Sequence, residues 1–321
     1  MSVYFNNLDR AIFFTLTYSD YFNFPLTEVE INDRLPKVWD WQFFTGQKLS
    51  SSELKIDRDK TEIGNSLEKL LKAKKIKKLK IDGIEYYFLK NRQKLVELRL
   101  AKKQIAKKRE VVIKDFLNLV SFLPSIKAVI LTGSSAVDNA EINDDLDFCL
   151  ITRKNTLWIM RFVLIFMAKV LGKRPQIDAQ SKSDSKQAWC FNLWLDESSL
   201  EIIDRNFSIY QAYEVKQMRW LTAKKNLKAL FLFENKQLGE LLKLNLDKMD
   251  FKKQKNSFLD YFFWPINLFF YFFQNAYRHL FFGKENYFLS PYQAHFNEAN
   301  RQEDIFLAIK KKMKENGLFT L

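Results

Sequence analysis

Apolar and polar positions alternate at helical spacing from the start of the chain. Leu8, Ala11, Ile12 and Leu16 fall on one face of a helix that ends near Ser19. The aromatic run 21–24 followed by Pro25 breaks it. Thr27, with Glu30 three residues on, predicts a capped second helix. Asp59 and Glu62 repeat that pattern ahead of a third helix whose stripe is Ile63, Leu67, Leu70 and Leu71. The polar loop between them, 36–58, carries Trp39, Trp41, Phe43 and Phe44, which are expected to fold back on the helices. In 76–89 two β-prone runs flank Asp82-Gly83, a two-residue hairpin signal. A long helix follows over 94–121, with Leu98, Ile105, Val112 and Leu119 spaced by sevens. Lys102 and Arg109 interrupt its second stripe, which predicts packing on neighbouring segments rather than a coiled coil.

The pattern changes at 127–132, an apolar run that reads as a buried strand ending in Gly133-Ser134-Ser135. Ten residues later a second strand begins with Asp145-Leu146-Asp147-Phe148-Cys149-Leu150. Alternate side chains of a strand share a face, so Asp145, Asp147 and Cys149 point one way and Leu146, Phe148 and Leu150 the other. Two carboxylates on one face repel, and a divalent cation resolves the repulsion; Mg²⁺ commonly takes one or two carboxylates and completes its shell with water and phosphate. Gly133, lacking a Cβ, lets backbone approach a triphosphate, and Ser134 has a hydroxyl to donate.

These residues resemble the signature of the nucleotidyltransferase superfamily, the fold of DNA polymerase beta and of aminoglycoside nucleotidyltransferases. That signature is an apolar strand, Gly-Ser, a spacer of about ten residues, then Asp-apolar-Asp-apolar. The resemblance covers about 127–200. It implies a mixed sheet with helices, and transfer of NMP from an NTP to an acceptor hydroxyl with release of pyrophosphate. It gives Asp145 and Asp147 to Mg²⁺ (or Mn²⁺) and to catalysis. Gly133, Ser134 and Ser135 would hold phosphates, with Arg161 and Lys154 as further cations; Lys154 reads more simply as solvated surface. The family also implies a third carboxylate on a neighbouring strand. In 189–195 the matching place falls to Asn192, if this strand runs antiparallel to the first so that Asn192 faces Asp147 and Cys190 faces Cys149. An amide is a weaker ligand and no base. Asp178 and Asp196 are the possible substitutes. The alternative reading is a catalytically degenerate relative, a nucleotide-sensing DNA-binding regulator.

Charge adds a second theme. The 321 residues carry 52 Lys and Arg against 38 Asp and Glu, a net +14. Segment 69–114 alone holds 17 cations and four acids, a net +13, the footprint expected of a polyanion partner such as nucleic acid. Three helices followed by a hairpin resemble a winged helix-turn-helix. That likeness implies nucleic-acid contact by Lys69, Lys72, Lys74, Lys75, Lys78 and Lys80, or a role in protein docking. Lysine-rich coding bias is the plainer explanation of the same block.

The expected organisation is a winged-helix-like segment 1–92, a linking helix 93–123, a nucleotidyltransferase core 124–206 and a C-terminal helical region 207–321, α/β (α+β) overall. In the last of these, Tyr210, Tyr213 and Arg219 are candidates to face a substrate. Segment 258–282 is conspicuously aromatic, but Asp260, Pro265, Asn267, Gln274, Asn275 and Arg278 interrupt it, so it does not read as a membrane span, and an amphipathic helix pair docked on the core is expected over interfacial membrane binding. The polar, acid-containing first ten residues do not read as an export signal, and with only two cysteines a cytoplasmic setting is expected. His279 and His295, the only histidines, lie far from the acidic pair in sequence, and no P-loop, dinucleotide fingerprint or nucleophile elbow is present.

Overall fold

A computed structural model of the chain describes residues 4–45, 56, 59–173, 188–202, 207–224, 226–244, 257–282, 287–296 and 301–319. Helix α1 (Asn7–Tyr21) starts at a capping box in which Asn6 and Asp9 each accept from the other's backbone amide. It is buried on nearly every side, and of its two buried acids Asp9 is met by Lys69 at 2.6 Å and Asp20 by Arg92 at 2.9 Å. The Thr27–Glu30 box opens α2 (Glu28–Arg34) as the sequence predicts. Helix α3 (Trp41–Phe44) returns Trp39, Trp41 and Phe44 to the ring of Phe14. Helix α4 (Lys60–Lys72), capped by Asp59, buries Ile63, Leu67 and Leu70.

Strands β1 (Ile76–Ile81) and β2 (Ile84–Leu89) pair in antiparallel fashion around Asp82 and Gly83, both left-handed at φ 51° and 79°. Two left-handed central residues are what a tight hairpin turn with the right twist requires, and Gly83 supplies the second without steric cost. Helix α5 (Lys94–Ser121) has the predicted bounds but not the predicted face. The apolar stripe at Leu98 and Ile105 is peripheral, and the inward stripe is the one broken by Lys102 and Arg109, both buried, and completed by Phe116.

The remaining elements build one mixed sheet. In chain order they are β3 (Ile126–Leu131), α6 (Gly133–Ala136), β4 (Leu146–Thr152), α7 (Leu157–Val170), β5 (Trp189–Asp196), α8 (Ile209–Gln217), β6 (Arg219–Ala223), α9 (Leu227–Glu234), α10 (Phe258–Phe282), β7 (Phe288–Ser290), β8 (Gln293–His295) and α11 (Arg301–Glu315). The strand order is β6-β3-β4-β5-β8-β7, with β4 and β5 parallel and the other pairs antiparallel. This confirms a mixed α/β fold and corrects the reading of the C-terminal third as purely helical. β6, β7 and β8 come from that third; they are too short, at three to five residues, for a period-two pattern to stand out.

Both sheet faces are covered. On one, Val129, Leu131, Phe148, Leu150 and Trp194 meet α5 and α7; Phe116 stacks on Phe148 at 4.2 Å between centroids. Truncating such a buried ring to alanine costs about 3–5 kcal/mol. On the other, Ala128, Ile130, Cys149, Ile151, Leu193 and Leu195 belong to one core with α1, α4, α8 and α11. The N-terminal helices, the sheet and the C-terminal helices therefore share a core. Among the described residues, no helix is long and apolar enough to cross a membrane.

Candidate active site

Gly133 and Asp147 meet at the end of the sheet. The backbone of Thr132 donates to the carbonyl of Asp147 at 2.8 Å, carrying the β3–β4 pairing to the point where the chain turns into α6. Gly133 then adopts φ +63°, and a Cβ placed on it would lie 2.5 Å from Asp147 Oδ2. Only glycine satisfies both conditions, so the Gly-Ser turn and the acidic strand of the sequence signature form one site. Gly133 is exposed and Ser134 half-buried, whereas Ser135 is turned inward and buried. The Ser134 hydroxyl donates to Asp144 Oδ2 at 3.1 Å, and the same oxygen accepts from the Glu141 amide at 2.9 Å.

The loop 137–145 that delivers Asp144 and Asp145 is held by the two charges on the inward stripe of α5. Arg109 donates to the carbonyls of Glu141 (3.1 Å), Asp145 (3.0 Å) and Asp144. Lys102 reaches Asn139 Oδ1 at 3.3 Å, while Asn139 Nδ2 donates to the carbonyl of Phe22 beyond α1 at 2.8 Å. In the sequence both charges stand only as interruptions of a stripe. A charged residue at a core position is itself the signal, because burial without partners is prohibitive.

Asn192 comes to Asp147 by a different route from the one predicted. β5 runs parallel to β4, with Asp147 opposite Cys190 and Cys149 opposite Leu193, so the antiparallel register and the pairing of the two cysteines are overturned. The register slips between Phe148 and Cys149, leaving Asn192 as the extra residue on β5. A bulge re-aims a side chain. Here the Asn192 amide donates to Asp147 Oδ1 at 2.6 Å and its carbonyl accepts from Cys190 Sγ. Cys149 is fully buried in the core, which pushes its thiol well up. Asp196 lies at the far end of β5, buried and accepting from Asn155 N and from Ser198, so it does not join the site. Asp178 lies outside the described residues.

The electrostatics mark the site as short of positive charge. Burial, then the charge of Asp145, push Asp147 up to about 6, against the Asn192 hydrogen bond and Arg301. Asp145 is raised by burial and Asp144, against Arg109. Glu214, on α8 where that helix packs on α6, is raised by burial to about 7; Arg301 opposes the rise and Asp147 adds to it. Glu214 and Arg301 escaped the sequence reading because each sits on a helix far along the chain with no motif around it. Arg161 is engaged elsewhere, donating to Gln274 Oε1 and lying over the rings of Trp158 and Phe296. Tyr213 stacks on Tyr18 and donates to the Arg34 carbonyl, and Arg219 pairs with Glu110.

The basic segment is partly structural. Lys69 is spent on Asp9, Lys78 on Glu68 and Glu85, Arg92 on Asp20 and Arg99 on Glu30. The exposed face of α4 carries Glu62, Glu68 and Lys72, whereas Lys74 and Lys75 lie on the turn before β1 and Lys80 near the far end of β1.

Among the described residues no three His, Cys, Asp or Glu side chains converge to form a metal-binding group. The two raised carboxylates still fit a divalent ion, since Mg²⁺ needs only one or two from protein. Compared with known proteins, the chain matches no family model, no curated protein and no solved structure.

Proposed function

We propose that this chain binds a nucleoside triphosphate at Gly133, Asp145 and Asp147 and transfers its nucleotidyl group to an acceptor hydroxyl. The observation that supports this reading is the Gly133–Asp147 contact: a backbone stripped of its Cβ beside a carboxylate that burial and a neighbouring acid leave in need of a cation. Asp145 and Asp147 would hold Mg²⁺ (or Mn²⁺), which when bound supplies charge neutralisation to a polyphosphate. Gly133 leaves room for phosphate oxygens, and Ser134 stays beside them through Asp144. Arg109 keeps the loop from being pushed apart by its own acids, and Asn192 fixes the rotamer of Asp147. The acceptor oxygen forms a bond to the α-phosphorus as the bond to pyrophosphate breaks. Glu214, titrating near 7, takes the acceptor's proton; a base poised near the working pH is the efficient one.

Asn192 favours a second reading. Where the resembling family has a third carboxylate, this chain has an amide already committed to Asp147. In that reading the site binds nucleotide without turnover and Lys72, Lys74, Lys75 and Lys80 supply contact to nucleic acid.

One experiment separates the two. The four NTPs are titrated with Mg²⁺ by calorimetry into wild type and the Asp145→Asn/Asp147→Asn variant, and pyrophosphate release is followed over a panel of RNA, protein and small-molecule acceptors. Mg²⁺-dependent binding that the variant loses, with pyrophosphate released, supports transfer. Binding without release supports the sensor. No binding by the wild type overturns both.

A further inference from the structure

Helix α10 is docked inside out. Its fully buried positions are polar, spaced by sevens, at Asp260, Asn267 and Gln274, with the half-buried rings of Phe270 and Tyr271 between them against Phe162 and Trp158. Each of the three polar residues is bonded to the body. Asp260 pairs with Arg153 at 3.0 Å and its carbonyl accepts from Asn155. Asn267 accepts from the Trp158 amide at 2.8 Å, one of the amides left unpaired in the first turn of α7, and donates to the Pro291 carbonyl. Gln274 donates to the Trp158 carbonyl at 2.9 Å and accepts from Arg161.

The outward face is aromatic. Trp264, Phe269, Phe272 and Phe273 are 48–64% exposed, and α7 adds Phe162, whose exposed ring lies 4.9 Å from that of Phe270, and exposed Phe166 four residues on. A helix on a water-facing surface has the opposite polarity. Contiguous exposed apolar surface on this scale marks an interface. The helix pair expected of this segment is one continuous helix; it docks on the core as expected, but its fully buried positions are polar rather than apolar.

We infer that the outward face of α7 and α10 is a bilayer-interface anchor that lies in the headgroup–acyl boundary of an anionic membrane without crossing it. Charge selects lipid over a second copy of the chain. Asp260, the only acid in either helix, is buried inward, while the Lys169 ammonium is exposed at the outer end of α7. Self-pairing would oppose like charges, whereas anionic headgroups complement them. Phe, Trp and Tyr are also the side chains that favour the headgroup level. Directional hydrogen bonds on the inward side hold the helix in place while its apolar side enters lipid.

The test is flotation of the full chain with phosphatidylcholine vesicles, with and without phosphatidylglycerol. The wild type is expected to float with the anionic vesicles and to be released by salt. Phe269→Ser/Phe272→Ser/Phe273→Ser is expected to weaken partitioning about tenfold or more, and Lys169→Glu by a smaller factor. If the triple variant melts early, quenching by brominated lipid decides instead: wild-type tryptophan emission falls, and the part due to insertion disappears in Trp264→Phe. Absence of flotation with either vesicle overturns the inference. So does a wild-type dimer that the same Phe→Ser changes dissociate, which would make a second copy the occupant.

Discussion

The two longest helices, α5 and α10, both turn polar side chains inward at a spacing of seven, and they do so to opposite ends. In α5, Lys102 and Arg109 replace apolar residues in a stripe that Phe116 completes, and the outer face is solvated lysine. In α10, the fully buried positions are Asp260, Asn267 and Gln274, helped by Phe270 and Tyr271, and most of the apolar side chains are sent out. The first arrangement spends buried charge to position a loop; the second spends buried hydrogen bonds to free a hydrophobic surface. Polarity along a helix therefore tells which side is fastened only when the bonding partners are known.

The comparison breaks most visibly at Arg109. Arg109→Leu keeps an apolar stem in the stripe but leaves the carbonyls of Glu141, Asp144 and Asp145 without their donor. A loss of about 3–5 kcal/mol in urea unfolding is expected, together with loss of nucleotide binding. Unchanged stability would mean that the loop holds itself.

Asp147→Asn sharpens the same side by removing the charge that the clamp confines. The folded pKa of Asp147, about 6, lies above its ordinary 3.8, so folding favours the protonated form. Wild type therefore loses stability as pH rises from about 4 through about 6, whereas the variant does not titrate there. The variant should be more stable by about 2–3 kcal/mol at pH 7.5 without added metal, with the gap closing below pH 4. A gap of constant size from pH 4 to 8 would refute this account.

The smallest effect belongs to α10. Asn267→Leu leaves the Trp158 amide unsatisfied and should cost about 1–2 kcal/mol. A stabilised variant would show that α10 is held by apolar contacts after all.

The parts legible in the sequence are those whose cause is local. The Thr27–Glu30 box, the Asp82-Gly83 turn and the bounds of α5 follow from residues within a few positions of one another, and the Gly133…Asp145-Asp147 spacing is similarly compact. What was not legible is set by partners far along the chain. The direction of β5 is coupled to β8, whose His295 pairs with Leu193, and β8, at three residues, does not announce itself. Asn192 was placed beside Asp147 from an incorrect register, because a single bulge in a parallel pair reaches the same neighbour as an antiparallel match. Glu214 and Arg301 enter the site only once α8 and α11 have packed.

That dependence on late elements has a consequence for synthesis. Strand β3 lies between β4 and β6, and β5 is flanked by β4 and β8, while α1 packs against α11. When β3, β4 and β5 leave the ribosome, the outer neighbours of β3 and β5 have not yet been translated, and α1 waits with an uncovered apolar flank for α11. The nascent chain therefore carries two open sheet edges and a bare helix face until β6, β8 and α11 have emerged, the condition under which chaperone capture competes with folding.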